Sequence, residues 1–414
     1  MAGRKTKRLV MRKTIEALMA DLGCEKWPLT WESFYNDVMD TYDREGCSLT
    51  DPSYYERLHK TYGVLPNYLE TFKEAAAETG KNEDLSRFLS LLAFALSDRE
   101  NVKENLKSLS YPKKNWDTSL ACRMVQGLAL MSTVPYTYGL LKQRNMTDDE
   151  IRSAISLLEC GIPEYSKRHG GEIGYNLIDW FQLTVDGKLF RIDRLEFEFG
   201  AKFYSNAVVY INKNGDRIAL AQGMKVHKSG YIMGSYFFSG DDDSYDTEIT
   251  ETENSWIGHT FDEKGRVKRE TVTLDRSEWS ILLKPGDPVI GVHIPPIGSI
   301  TPEWVDRTLK TAQKFFEKYY PEYDYKAFTC HSWMMDPQLI DMVGENSNIA
   351  KFQRRYDILG IKSNGTGVFG FVFLKPDKNF DLAELPENTT LERKLKHHYM
   401  TGNAVYELYG YFLK

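Results

Sequence analysis

The apolar residues of this chain change their period once, and that change divides it. Up to the neighbourhood of Trp180 they recur at helical spacing, and from Lys188 onward they alternate with polar residues. A segment patterned for one period cannot bury its apolar side in the other. The chain therefore reads as a helical part followed by a part built on sheet. At 414 residues it is longer than one core usually organises, so two domains are expected, here 1–170 and 171–414.

The helical part carries start signals as well as periodicity. Leu9, Ile15, Leu18 and Leu22 share a face, and Trp31 to Tyr42 is a second helix capped by Thr30 or Ser33. Asp51-Pro52 places a cap before a proline at the first helical position. Leu85 to Leu96 is apolar enough to be buried, and Trp116 to Leu141 holds one or two more helices. Thr147-Asp148-Asp149-Glu150 caps another, which ends near Gly170-Gly171.

In the second part, Lys188 to Phe199 sets Phe190, Ile192, Leu195, Phe197 and Phe199 against Arg191, Asp193, Glu196 and Glu198. The alternation slips at Arg194, where a bulge fits. Asn214-Gly215 and Lys264-Gly265 each lie between strand-like runs and predict hairpins. Glu278 to Leu283, Val289 to Ile294, Tyr325 to Trp333 and Val368 to Leu374 read as strands. Pro302 to Tyr320, Asp336 to Met342, Asn348 to Leu359 and Thr390 to Tyr399 read as helices, before a tyrosine-rich tail. The acidic stretch Gly240 to Asn254 lacks the carboxylate offsets of a calcium loop and reads as a solvated loop. The expected class is α+β: an all-helical domain, then a mixed, mostly antiparallel sheet flanked by helices.

Charge and cysteine content narrow the partners. A net charge of −6 supplies no overall basic field for nucleic acid or anionic lipid. Arg4 to Arg8, with Arg12 and Lys13, form a basic start that fits a solvated helix end better than a nucleic-acid arm. Apolar stretches fall short of a membrane span, and no apolar core of a secretory signal follows the basic start. Five scattered cysteines without a C-x-x-C pair fit reduced thiols in a cytoplasmic protein. No cluster has metal-ligand spacing.

One junction draws attention. The strand to Ile294 runs through Pro295-Pro296-Ile297-Gly298-Ser299-Ile300-Thr301 into the helix that Thr301 caps and Pro302 opens. Unpaired N–H groups at such a helix start suit a phosphate. Against that, Glu303 and Asp306 place carboxylates in the first turn, and a plain corner accounts for the loop equally well.

The run from Gly286 to Leu359 resembles the bacterial acyltransferase-domain proteins with a helical N-terminal half and a GNAT-like C-terminal half. The pieces that carry the resemblance are His293-Ile294-Pro295 with Gly298, "FFEKYYPE" from Phe315, "CHSWMMDPQL" from Cys330 and "SNIAKFQRR" from Ser347. Residues 150 to 400 fit well, and the first 150 fit in character. The resemblance implies an N-acyltransferase that takes acyl-CoA or acetyl-CoA as co-substrate and a small-molecule or peptide amine as acceptor. It also implies two strands that splay apart. The pantetheine arm would lie along Val292 and Ile294, with the pyrophosphate on Ile297, Gly298, Ser299, Ile300 and Thr301. The wider superfamily's Gln/Arg-x-x-Gly-x-Gly/Ala signature is absent, and Pro295-Pro296-Ile297 stand in its region.

Acyl transfer from a thioester needs a base for the amine, donors for the oxyanion and a proton for the thiolate. His293 is the candidate base, Ser332 a candidate donor, and Tyr356 a candidate acid for the thiolate. Arg354 or Arg355 could hold a phosphate by a bidentate contact. Each also has a structural reading, as a strand-end histidine, a core hydroxyl or a solvated helix face. Cys330 and His331 are adjacent, so in a strand they face opposite ways, and a thiolate at Cys330 would need His293 from the neighbouring strand. Two other readings stay open: a catalytically inactive binding or regulatory protein with this fold, and a Cys330-dependent hydrolase.

Overall fold

The computed structural model describes residues 12–113, 119–238, 243–375 and 380–414. The basic start up to residue 11, Trp116 and Gly240 to Asp242 lie outside the described residues. The chain divides into two compact units, Met1–Gly187 and Lys188–Lys414.

Among its described residues the first unit has helices and no strand. Its helices are α1 (Ile15–Asp21), α2 (Thr30–Glu45), α3 (Pro52–Tyr62), α4 (Leu69–Thr79), α5 (Glu83–Ser97) and α6 (Val102–Leu106). They are followed by α7 (Leu120–Met131), α8 (Val134–Gln143), α9 (Asp148–Ile155), α10 (Gly161–Arg168) and α11 (Ile178–Val185). Asp51 caps α3 through the Ser53 N–H, and Thr147 with Glu150 forms a reciprocal capping box on α9. α2 begins without a side-chain cap, so neither Thr30 nor Ser33 plays that part. Leu85, Phe88, Leu89, Leu92 and Leu96 of α5 are fully buried and form the centre of this unit's core. Arg12 pairs with Asp40 and Asp43, and Lys13 with Asp21 and Asp84, so these two cations tie α1 to its neighbours.

The second unit carries fourteen strands among the described residues. In chain order they are β1 (Leu189–Ile192), β2 (Leu195–Glu198), β3 (Ala207–Asn212), β4 (Arg217–Ala221), β5 (Met224–His227), β6 (Ser244–Thr247) and β7 (Thr250–Glu251). Then come β8 (Ser255–Phe261), β9 (Val267–Asp275), β10 (Trp279–Leu283), β11 (Ile290–His293), β12 (Ala327–Ser332), β13 (Asp357–Leu359) and β14 (Leu408–Leu413). The helices are α12 (Pro302–Tyr319), α13 (Gln338–Val343), α14 (Asn348–Gln353), α15 (Gly367–Phe371) and α16 (Thr390–Met400). One sheet has the order β1-β2-β11-β12-β14-β13, and a second has the order β10-β3-β4-β8-β7 with β9 on β8. Among the described residues, only β11 and β12 pair in parallel; every other ladder is antiparallel.

Several local readings change. Arg194 is no bulge: Asp193-Arg194 is the two-residue turn of the β1–β2 hairpin, with Asp193 at φ +49°. The hairpins at Gly215 and Gly265 form as read, both glycines having positive φ. Within the acidic stretch, Ser244–Thr247 pairs with β5 and Thr250–Glu251 with β8. The Asn348 helix stops at Gln353, and Asp357–Leu359 is a strand on β14. The run after Gly367 is helix, because a short apolar stretch has no period that separates helix from strand. Glu407 fixes its start by accepting the Gly367 N–H at 2.6 Å.

The first sheet has two unlike faces. Phe197 and Phe328 pack on Phe316 of α12 or on each other, and Phe412 stacks on Phe328. On the opposite face, Val289, Ala327, Tyr409 and Tyr411 share a core with Phe203, Val209 and Leu283 around the second sheet. Beyond β12, Asp336 (3% exposed) accepts hydrogen bonds from the Gln338 N–H, the Gln338 side chain and the Tyr406 N–H. Asp336→Ala strips three donors, one buried and two part-buried, of their acceptor. Chemical denaturation is expected to show a loss of about 3 kcal/mol.

Candidate active site

The ladder between β11 and β12 stops after two pairs, Ile290 with Phe328 and Gly291 with Thr329. Beyond them each strand keeps only its outer neighbour. Val292 and His293 stay on β2, while Cys330 to Ser332 stay on β14. A parallel pair that gives up its shared ladder opens as a wedge, with backbone N–H and C=O groups along both inner edges. Pro295 and Pro296 reinforce the stop, because neither can donate to a ladder.

The loop that leaves β11 is held from below by one side chain. Arg194, 9% exposed, donates to the carbonyls of Pro295 (2.7 Å), Ser299 (3.1 Å) and Gly298. Across a peptide plane, C=O and the following N–H point in opposite directions. With the Gly298 and Ser299 carbonyls turned to Arg194, the N–H groups of Ser299 and Ile300 turn away from it, next to the N-terminus of α12. Gly298 takes φ +100°, which favours glycine. Thr301 caps α12, and Asn348 of α14 donates to the Ser299 hydroxyl at 2.8 Å. Asp306, which counts against an anion when read in sequence, is paired with Arg355 at 2.7 Å.

Residues 189–412 match the family model of the GNAT-like C-terminal domain. The chain belongs to this family. Solved structures with a similar fold include an acyltransferase in complex with decanoyl-CoA and teicoplanin, at 19% identity and TM-score 0.62, covering 96% of this chain and 98% of that one. An acyltransferase mutant in complex with octanoyl-CoA aligns with the same identity, TM-score and coverage. An acyltransferase in complex with decanoyl-CoA aligns at 20% identity and TM-score 0.60, with 96% and 98% covered. No curated protein matches the chain by sequence.

In this GNAT-like domain, strand alternation sorts the candidate side chains. Gly291 and His293 of β11 share a face with Thr329 and His331 of β12, and with Glu196 and Glu198 of β2. His293 Nε2 lies 3.0 Å from Glu198 Oε2, both side chains being a little over a quarter exposed. Gly291 makes room for that contact: a Cβ there would sit 3.1 Å from Glu198 Cβ and 3.5 Å from His293 Nε2. His331 stands beside them, its ring 5.5 Å from that of Tyr204. Its imidazole is held below the ordinary histidine value, chiefly by desolvation, with Glu407 opposing and His293 adding to the effect. Tyr204 keeps 48% of its surface exposed above this group.

Other candidates are placed elsewhere. Cys330 is on the opposite face, 1% exposed, and burial pushes its thiol up to about 12. A thiol that far above neutrality, across the sheet from His293, is no nucleophile, so the hydrolase reading falls. Tyr356 is on the Cys330 face too. Its ring packs on Phe412, its hydroxyl is buried without a hydrogen-bond partner among the described residues, and burial holds it well above the usual phenol value. Ser332 uses its hydroxyl to cap the turn after β12, accepting the Met334 N–H at 3.1 Å. Arg354 is tied to Glu345 and borders an open groove that Tyr356 and Arg217 also line. The structure thus brings His293 and the 297–301 loop to the wedge, and leaves Tyr356 and Arg354 away from His293's face. Val292 pairs with Phe197 of β2 and its side chain is buried, and Ile294 follows the last residue of β11. Sequence reading missed Glu198 and the anchoring part of Arg194. Glu198 had a signal, since it is an acid on the polar side of an alternating strand.

Among the described residues, no three His, Cys, Asp or Glu side chains gather as a metal site. No helix there is long and apolar enough to cross a membrane.

Proposed function

We propose that this GNAT-like protein is an acyl-CoA-dependent N-acyltransferase. The observation that carries the reading is the early end of the β11–β12 ladder, which leaves an open backbone edge for an extended pantetheine arm. Val292 and Ile294 would offer that edge. Ile297 to Thr301 would receive the pyrophosphate, chiefly through the Ser299 and Ile300 N–H groups, with α12's partial positive end behind them.

The acceptor is a small molecule or peptide that carries a free amine. His293, whose Nε2 lies 3.0 Å from Glu198 Oε2, takes the proton as the amine nitrogen attacks the thioester carbon. A C–N bond forms, the tetrahedral intermediate collapses, and the C–S bond breaks. The thiolate leaves and is reprotonated by the imidazolium or by water. Placing amine and thioester together in one wedge supplies much of the rate. The complexes of similarly folded acyltransferases with octanoyl-CoA and decanoyl-CoA support acyl chains of that length as the first thioesters to try.

Calorimetric titration with acetyl-, octanoyl- and decanoyl-CoA tests the reading, followed by thiol release in the presence of amines. Saturable binding of at least one thioester is the expected result. No heat with any of them would leave a binding or regulatory protein that keeps the fold.

A further inference from the structure

The first turn of α12 carries a large aromatic surface that the acyl-transfer chemistry does not use. Trp304 is three residues beyond the cap Thr301 and is 47% exposed. The Arg307 guanidinium lies 3.6 Å from the centre of its ring, stacked on one side. Asp193 holds Arg307 in place by accepting from Nε at 3.3 Å. That aspartate belongs to the same two-residue turn as Arg194, which anchors the phosphate-facing loop. One rigid turn therefore fixes both the loop and Arg307. Nε is occupied, and the rest of the guanidinium is on a side chain that is 55% exposed. Lys310 and Lys314 are exposed along the same side of the helix; of the exposed acids on α12, Glu303 is in the first turn, Asp306 is paired with Arg355 and Glu317 lies beyond Lys314.

We infer that Trp304 and Arg307 form the seat for the 3′-phosphoadenosine end of the coenzyme. The adenine stacks on the open face of the indole, and the 3′-phosphate meets the outer nitrogens of Arg307. This deepens the acyl-CoA reading above and rests on it. An indole face is a general platform for a base, and a guanidinium pre-oriented by a carboxylate loses little freedom on meeting a phosphate. Coenzyme selection would then come from this seat, while the wedge handles the pantetheine and the acyl group.

Titrations of the full chain with CoA, dephospho-CoA and 4′-phosphopantetheine test it. Trp304→Ala is expected to cut the ratio of CoA to phosphopantetheine affinity by about tenfold, and Trp304→Phe by far less. Arg307→Gln is expected to bring the CoA to dephospho-CoA ratio close to one. Both ratios staying at wild-type values in folded variants would overturn the seat and leave the transferase reading standing. A wild-type protein that binds none of the three probes would overturn both. Should Trp304→Ala lose its cooperative melt, the Arg307→Gln ratio decides alone.

Discussion

Replacing His293 by alanine is expected to lower kcat for acyl transfer by about 10²- to 10⁴-fold. The dissociation constant for acyl-CoA should stay within about twofold, because the proposed grip on the coenzyme comes from backbone and loop rather than from the imidazole. Glu198→Gln should cost about tenfold in kcat. It removes the charge that steadies the imidazolium but leaves a hydrogen-bonding group 3.0 Å away. The measurement is thiol release at saturating thioester with parallel binding titrations. If His293→Ala turned over at the wild-type rate, the proton would have to leave by another route, and the polar face of the wedge would need a new account. His331 is the group to examine next in that event, since it shares the face with His293 and its ring lies 5.5 Å from that of Tyr204.

Arg194→Ala is expected to have the second large effect, and on two readouts at once. The guanidinium is buried and donates to three loop carbonyls, so its loss leaves those acceptors to find water in a half-closed space. Stability should fall by about 2 kcal/mol in chemical denaturation. Acyl-CoA affinity should fall by about tenfold or more, because the Ser299 and Ile300 N–H groups are aimed only while their carbonyl neighbours are held. Arg194→Lys keeps the charge but cannot serve three acceptors with a rigid fork, so it should recover stability better than affinity. An Arg194→Ala protein with unchanged acyl-CoA affinity would show that the loop amides do not bind the pyrophosphate.

The two effects are separable by design. As the proposed base, His293 would act on the reacting atoms and should leave the coenzyme titration nearly untouched. Arg194 touches no reacting atom and should move binding first. A protein that kept this fold only to bind a ligand would show the Arg194 effect without any turnover for His293 to remove.

What was legible in the sequence follows from local physics. The period change placed the helical part before the sheet part, Asn214-Gly215 and Lys264-Gly265 demanded positive φ, and Thr301-Pro302 fixed where α12 begins. Each is written within a few neighbouring residues. Short apolar runs were not legible in the same way. Val368 to Leu374 looks like a strand in isolation, yet Gly367–Phe371 is helix, its start held by Glu407, about forty residues later, which takes the Gly367 N–H. Arg194 looked like a slip in a strand and proved to be a hairpin turn, since only the register with β1 says where one strand ends and the next begins.

The site divides along the same line. Sequence alone determined that a strand, a small-residue loop and a capped helix follow one another at residues 290 to 302, and that His293 ends the strand. Only the tertiary structure decided that β11 parts from β12 after Gly291, that Glu198 meets His293, and that Arg355 answers Asp306. It likewise put Tyr356 and Cys330 on the far face. The reason is physical: a helix cap or a turn is an energy minimum of a few residues, whereas this ladder end and these ion pairs are set by partners about forty to a hundred positions away, which no local pattern encodes.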